Sequence, residues 1–325
     1  MTTTVPRPFM LAAPDAGPDA EGAGAGRPGA LRALVIRTAG TNCDGELAHA
    51  FRLAGATPEF VHLRTLIDQP DQIDRYHLIG VPGGFSYGDD IAAGRVFATY
   101  LRERLYPIFR RAVVERQAPI IAPCNGFQVL VKARFLPGFD FDDSDHPAAG
   151  PGEAEQGWPS DAPPRQACTL AANIGGAFID RWLPIEIDEG SPCIWTRGLG
   201  ADSEPAGVAP VLPIAHGEGR FVADPAVLDV LEQRRLIPVR YGAEVNVNGS
   251  ERAIAGICDP TGLVFGLMPH PERYTSWLHH PQRTRLDPAT LKGREPLGLR
   301  MFRAAVEFAR EHTSVLAGDA VSVSR

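Results

Sequence analysis

A cysteine stands where a short apolar run gives way to a helical pattern, in Ala122-Pro123-Cys124-Asn125-Gly126-Phe127-Gln128. A strand that ends on a cysteine and turns directly into a helix has the geometry of a nucleophile elbow. The turn lifts the sulfur clear of the sheet, and Gly126 leaves room for close backbone packing. A helix N-terminus favours an anion, so the thiol leans toward thiolate there. The backbone amide of Asn125 points to where an oxyanion would form. Standing alone, a cysteine at a helix start is as often a buried core residue, so the rest of the chain must supply its partners.

A base is offered by Met268-Pro269-His270-Pro271-Glu272-Arg273, which the apolar run Leu263-Val264-Phe265-Gly266-Leu267 feeds like a strand. Side chains two apart on an extended chain face the same way. The prolines flanking His270 disfavour helix and hold that conformation. Glu272 could then orient His270 through one ring nitrogen while the other meets a nucleophile, which is triad logic. A third segment, Pro82-Gly83-Gly84-Phe85-Ser86-Tyr87-Gly88-Asp89, follows a strand with two glycines that let backbone approach a ligand. Either Gly84 or Phe85 could give the second oxyanion N–H. A fourth, Ala215-His216-Gly217-Glu218-Gly219-Arg220, holds a competing base in His216. His216 and Glu218 are also a metal-ligand pair, but no third ligand stands at metal-site spacing. The segment reads instead as a contact for a partner chain, through His216, Glu218 and Arg220, and no metal site is expected.

Elements that can position these groups recur along the chain. Ala33-Leu34-Val35-Ile36 is an apolar burst typical of a buried parallel strand. A helical pattern from about Asp44 to Leu53 stops at Gly55, a C-cap residue. Phe60 to Leu63, His77 to Val81 and Pro119 to Ala122 read as further strands, and Ala92 to Arg116 as one long helix. Strands alternating with helices predict a parallel, doubly wound sheet, with its site beyond the carboxyl ends of the strands. Pro82-Gly83-Gly84 and Cys124 both lie at such ends. Strand-like runs return at Phe178–Ile187, Val211–Ala215, Ile237–Tyr241, Ala253–Cys258 and Leu263–Met268, spaced closely enough to be antiparallel additions. Pro296 to Glu311 is a final amphipathic helix. Residues 1–30 are a Pro/Gly/Ala tract read as a disordered arm. Residues 31–312 form the domain, 139–165 an inserted loop within it, and 313–325 a flexible tail.

Composition narrows the function classes. Of the 325 residues 44% are hydrophobic and 22% charged, an ordinary globular balance. The formal net charge is -7, and Lys132 and Lys292 are the only lysines among 32 basic residues. The arginines are scattered, so no nucleic-acid footprint is expected. No apolar stretch reaches the roughly 18 residues that would span a bilayer. The start lacks the charged-then-apolar order of a signal peptide. Five cysteines with no CxxC pair fit reduced cytosol better than a disulfide framework. There is no GxxxxGK[ST] phosphate loop, so an ATP-dependent step is expected on another chain.

Six segments, taken in order, resemble the glutaminase subunits of phosphoribosylformylglycinamidine synthase, in the triad class of glutamine amidotransferases. They are Thr41-Asn42-Cys43-Asp44, the Pro82–Asp89 and Cys124–Gln128 segments, Ala215–Arg220, Asn248-Gly249-Ser250 and Gly266–Arg273. The resemblance runs from about Leu31 to about Arg273. It implies a flavodoxin-like amidotransferase domain, with Cys124 as nucleophile, His270 as base and then acid, and Glu272 as its orienter. It implies Gly84 and Asn125 as oxyanion-hole amides, and Gln128, with Phe85 beside it, as contacts for substrate glutamine. The partners implied are a synthetase subunit carrying ATP and magnesium and, as a further candidate, a small accessory subunit, with no cofactor in this chain. The alternatives are the glutaminase of another ATP-dependent ligase or a cysteine peptidase on the same fold. The chain departs from the family at Ala122, where glycine is usual, at Pro123, in the insertion after Gly138, and in the tail after Tyr274 with His279-His280.

Overall fold

The computed structural model describes residues 30–89, 92–140, 157–159, 162–200, 204–242 and 244–322, with side chains as far as residue 312. The expected N-terminal arm lies outside the described residues apart from Ala30, as does most of the expected 139–165 loop.

The first half of the chain alternates strands and helices. β1 (Arg32–Arg37) leads to α1 (Asp44–Ala54), then to β2 (Thr57–His62) and α2 (Leu63–Asp68). β3 (Leu78–Gly80) is followed by α3 (Arg95–Tyr100) and α4 (Tyr106–Arg110), and β4 (Ile120–Pro123) by α5 (Asn125–Lys132). The second half is richer in strands. β5 (Cys168–Ala171), β6 (Ile179–Ile187), β7 (Val211–His216) and β8 (Arg220–Ala223) precede α6 (Pro225–Gln233). β9 (Val239–Tyr241), β10 (Ile254–Cys258) and β11 (Val264–Leu267) follow, then α7 (Pro288–Leu291) and α8 (Leu297–Ser322).

One sheet runs in the order β2-β1-β3-β4-β11-β10-β9-β6-β7, and β5 pairs with β8 in a separate ribbon. β2, β1, β3, β4 and β11 are parallel neighbours. β10, β9, β6 and β7 continue the sheet antiparallel. The fold is therefore the doubly wound sheet with antiparallel additions. One run differs from expectation: β11 lies parallel to β4, with Leu267 in register with Pro123. That pairing carries the His270 segment to the same sheet end as Cys124.

Local sequence explains these elements. Ala33 to Ile36 are fully buried, as a strand covered on both faces requires. α1 buries Leu47, Ala48 and Phe51, and Phe51 meets Phe302 of α8 edge-on with ring centroids 5.3 Å apart. The expected Ala92–Arg116 helix begins at Arg95, and two of its turns, Leu101–Leu105 and Arg111–Glu115, widen to π-helical geometry. Pro107 lies between them and has no N–H for the regular ladder. α8 continues to Ser322, beyond the expected end at Glu311, because no proline follows Pro296 to stop it. The β5–β8 ribbon and α6 were not anticipated. α6 carries a start signal in Asp224-Pro225, but nine residues give periodicity little to show.

Candidate active site

Cys124 follows β4 and caps α5 with φ 50 and ψ -110, a backbone conformation that costs energy in any residue but glycine. The surroundings enforce it. Its N–H donates to the Leu267 carbonyl at 2.7 Å, and its own carbonyl accepts from Phe127 and Gln128 in the first turn of α5. Gly126 is required here, since a Cβ on it would lie 2.0 Å from the Val81 carbonyl oxygen. Ala122 is absent from the residues with positive φ, so alanine in place of the usual glycine strains nothing.

His270 is nearly fully buried and its N–H donates to Pro213 of β7 at 2.8 Å. Its Nδ1 lies 2.6 Å from Glu272 Oε1. The chain turns at Pro271–Arg273 in a single 3₁₀ turn rather than the extended chain expected, and this turn, not strand alternation, brings the carboxylate round to the ring. Burial disfavours the imidazolium, but the charges of Glu272 and Cys124 and their hydrogen bonds outweigh it and raise His270 to about 10. His270 Nε2 has no hydrogen-bond partner among the described residues, and Cys124 acts on the ring through its charge. The thiol also reaches the Ala215 carbonyl at 3.6 Å.

The oxyanion donors can be told apart. Phe85 donates its N–H to Gly40 at 2.9 Å, which takes it out of the choice. Among the described residues no hydrogen bond occupies the N–H of Gly84. Gly84 has φ +129, and a Cβ there would crowd Asn42 and Gly40, so only glycine can turn the backbone this way. The Asn125 side chain is tied up: Oδ1 accepts from Ser86 Oγ at 2.7 Å and Nδ2 donates to Gln128 Oε1 at 2.8 Å. Its backbone N–H, in the first turn of α5, has no acceptor among the described residues.

Cys124, His270, Gly84, Phe85 and Gln128 line one cavity of about 360 Å³. His216 and Glu218 line it too, which corrects the reading of His216 as an interface residue: it is buried. His216 is held differently from His270. Its Nδ1 is 3.1 Å from Asn173 Oδ1, and burial, then the charge of His270, lowers it to about 4. Arg220 opens β8 and donates Nε to the Ala172 carbonyl at 3.2 Å. Gln128 donates to the Glu218 carbonyl, so this segment supports the pocket wall.

The cavity also holds residues that sequence reasoning did not select: Asn42, Cys43, Phe178, Asp180 and Arg273. Only Asn42, Cys43 and Arg273 fell within motifs quoted for the resemblance. Cys43 Sγ accepts from Arg273 Nη2 at 3.1 Å, and burial, then the charge of Glu272, pushes its thiol up to about 12. Cys43, His270 and Glu272 place one donor atom each within 4.8 Å of one another. That set could attract a thiophilic divalent ion, but the Arg273 guanidinium already sits against the sulfur and His270 Nδ1 is committed to Glu272.

A cysteine elbow beside a buried His–Glu pair, at the carboxyl end of a doubly wound sheet, is the architecture of the thiol-dependent glutamine amidotransferases. Comparison with known proteins agrees. Residues 30–309 match the family described as CobB/CobQ-like glutamine amidotransferase domain. The phosphoribosylformylglycinamidine synthase subunit PurQ of Dehalococcoides mccartyi is 35% identical over 286 residues, covering 86% of this chain and 98% of that one. The PurQ subunit of Treponema denticola is 38% identical over 255 residues, covering 74% and 87%. The solved structure of PurLQS from Thermotoga maritima superposes with TM-score 0.57 at 30% identity, over 86% of this chain and 99% of that one. The chain belongs to the CobB/CobQ-like glutamine amidotransferase family and, within it, to the PurQ subunits.

Proposed function

We infer that this chain hydrolyses the side-chain amide of glutamine and hands the ammonia to a synthetase subunit, which uses ATP to convert formylglycinamide ribonucleotide to its amidine. The observation that carries the reading is the buried Cys124–His270–Glu272 arrangement at one end of the cavity. His270 holds the proton of Cys124, and the sulfur attacks the carboxamide carbon. The N–H groups of Gly84 and Asn125 receive the developing oxyanion. His270 then protonates the departing ammonia, leaving a thioester on Cys124. Water, deprotonated by His270, attacks the thioester and releases glutamate. ATP and magnesium act on the synthetase partner in this reading, with no cofactor in this chain, and the complex is cytoplasmic. Among the described residues no helix is long and apolar enough to cross a membrane. The relatives favour this synthase over another ligase or a peptidase.

Affinity labelling tests it. A diazo-ketone glutamine analogue is expected to alkylate Cys124 and to spare Cys168, Cys193 and Cys258, which lie outside the cavity, and Cys43, which lies inside it with an unreactive thiol. Cys124→Ala is expected to abolish glutamate release. Labelling at Cys43 instead, or full turnover by Cys124→Ala, would end the proposal.

A further inference from the structure

The cavity mouth is bordered by large apolar side chains that face solvent. Phe85 and Phe178 line it and are 48% and 55% exposed. Ile174, on the turn that precedes Phe178, is 64% exposed. Exposed aromatic and aliphatic groups gathered at one opening mark a surface that another molecule covers. Ammonia that enters water is protonated and lost as a nucleophile. The surface around the exit is therefore the one the ammonia consumer must seal.

The same turn is wired to the pocket wall. Asn173 is buried next to Ile174. Its Oδ1 accepts from His216 Nδ1 and from the Gly219 N–H, both at 3.1 Å. Its Nδ2 donates to the carbonyls of Ala177 at 2.9 Å and His216 at 2.8 Å. The Ile174 N–H donates to the Asn248 carbonyl at 3.1 Å, and Asn248 Nδ2 donates to the Gly219 carbonyl at 2.8 Å. Two asparagines thus clamp Gly219 from the turn side. The adjacent Glu218 carbonyl accepts from Gln128, which is bonded to Asn125 at the elbow.

We propose that the Ile174–Phe178 turn is the docking tip for the synthetase subunit, and that Asn173 passes the docking to the pocket wall and so to the catalytic elbow. The proposal rests on the glutaminase reading and supplies its regulation. An ammonia-consuming partner that presses on the tip sets the position of Gly219 and Glu218, and through Gln128 the placement of Asn125. Hydrolysis is then tied to the presence of the acceptor.

Two variants separate docking from transmission. Ile174 is exposed and does not line the cavity, so Ile174→Ser is expected to keep the basal glutaminase rate within twofold while weakening binding to the synthetase, loaded with its nucleotide, at least tenfold. Asn173→Ala leaves the exposed surface intact. It is expected to bind the synthetase within threefold of the parent and to lose at least tenfold of the rate increase that binding produces. Asn173→Ser serves if Asn173→Ala unfolds. Unchanged affinity in Ile174→Ser overturns the docking surface, and full activation in the Asn173 variants overturns the transmission. If the parent chain releases no glutamate with or without the synthetase, the glutaminase reading fails first and this proposal with it.

Discussion

Two buried histidines border one cavity and are driven in opposite directions. Both lose water, and that loss alone would keep both rings neutral. His270 faces the carboxylate of Glu272 and rises to about 10. His216 faces the amide oxygen of Asn173 and falls to about 4. The charge of the partner, not the depth of burial, separates the two rings. The Asn173 amide also fixes the tautomer: Nδ2 is spent on two carbonyls, so Oδ1 accepts and His216 Nδ1 carries the hydrogen. This assignment leaves His216 Nε2 as a lone pair with no partner among the described residues.

The contrast can be broken most sharply by removing each ring. His270→Asn is expected to lower kcat by at least about 10⁴-fold, the scale for losing the base of a catalytic triad. His216→Asn is expected to cost less than about tenfold. Glutamate release by the assembled complex measures both, and equal losses would erase the distinction. Removing only the charge behind His270 is the next largest change. Glu272→Gln is expected to lower kcat roughly 10³-fold with little effect on KM, because Glu272 acts through the ring and not on substrate. NMR titration of the same variant should show the His270 pKa falling from about 10. A value that stays put would mean the carboxylate does not hold the proton in place.

A smaller effect sharpens the contrast in stability. The folded value of His216, about 4, lies below its ordinary 6.5. Unfolding then takes up a proton in acid, so the stability tied to neutral His216 is present above pH 6.5 and is lost as pH falls toward 4. The shift corresponds to about 3 kcal/mol. His270 has the opposite sign: its raised value contributes stability that is present below pH 6.5 and is lost as pH rises through about 10. Urea unfolding across pH should show His216→Gln losing the acid slope and His270→Asn losing the alkaline one. An unchanged acid slope in His216→Gln would show that the ring is not held neutral in the folded chain.

The central parallel strands were readable because they are covered on both faces and so are apolar without interruption, as at Ala33–Ile36 and Ile120–Ala122. Cys124 and Gly126 were readable because an elbow demands a small residue where the helix passes Val81. What the sequence withheld depends on contacts between distant segments. The choice between Gly84 and Phe85 turns on one hydrogen bond to Gly40. Cys43 enters the cavity from the start of α1, and Phe178 and Asp180 from the start of β6, with no local mark of that role. His216 stands in a polar, glycine-rich stretch that looks like surface, and only the packing of Asn173 against it shows that it is interior. The direction of β11 was misjudged for a related reason. A short apolar run looks the same parallel or antiparallel, and only its pairing with β4 decides.

The position of β11 also sets a timetable. It sits between β4 and β10 in the sheet, yet the ribosome makes it roughly 150 residues after the elbow. At about 5–20 residues per second, on the order of ten seconds pass between the emergence of Cys124 and that of its base. Through that interval the nascent chain carries a thiol with no histidine beside it, and β4 lacks its neighbour. The pair that the proposed mechanism needs, Cys124 with His270, is complete only when β11 closes the sheet beside β4.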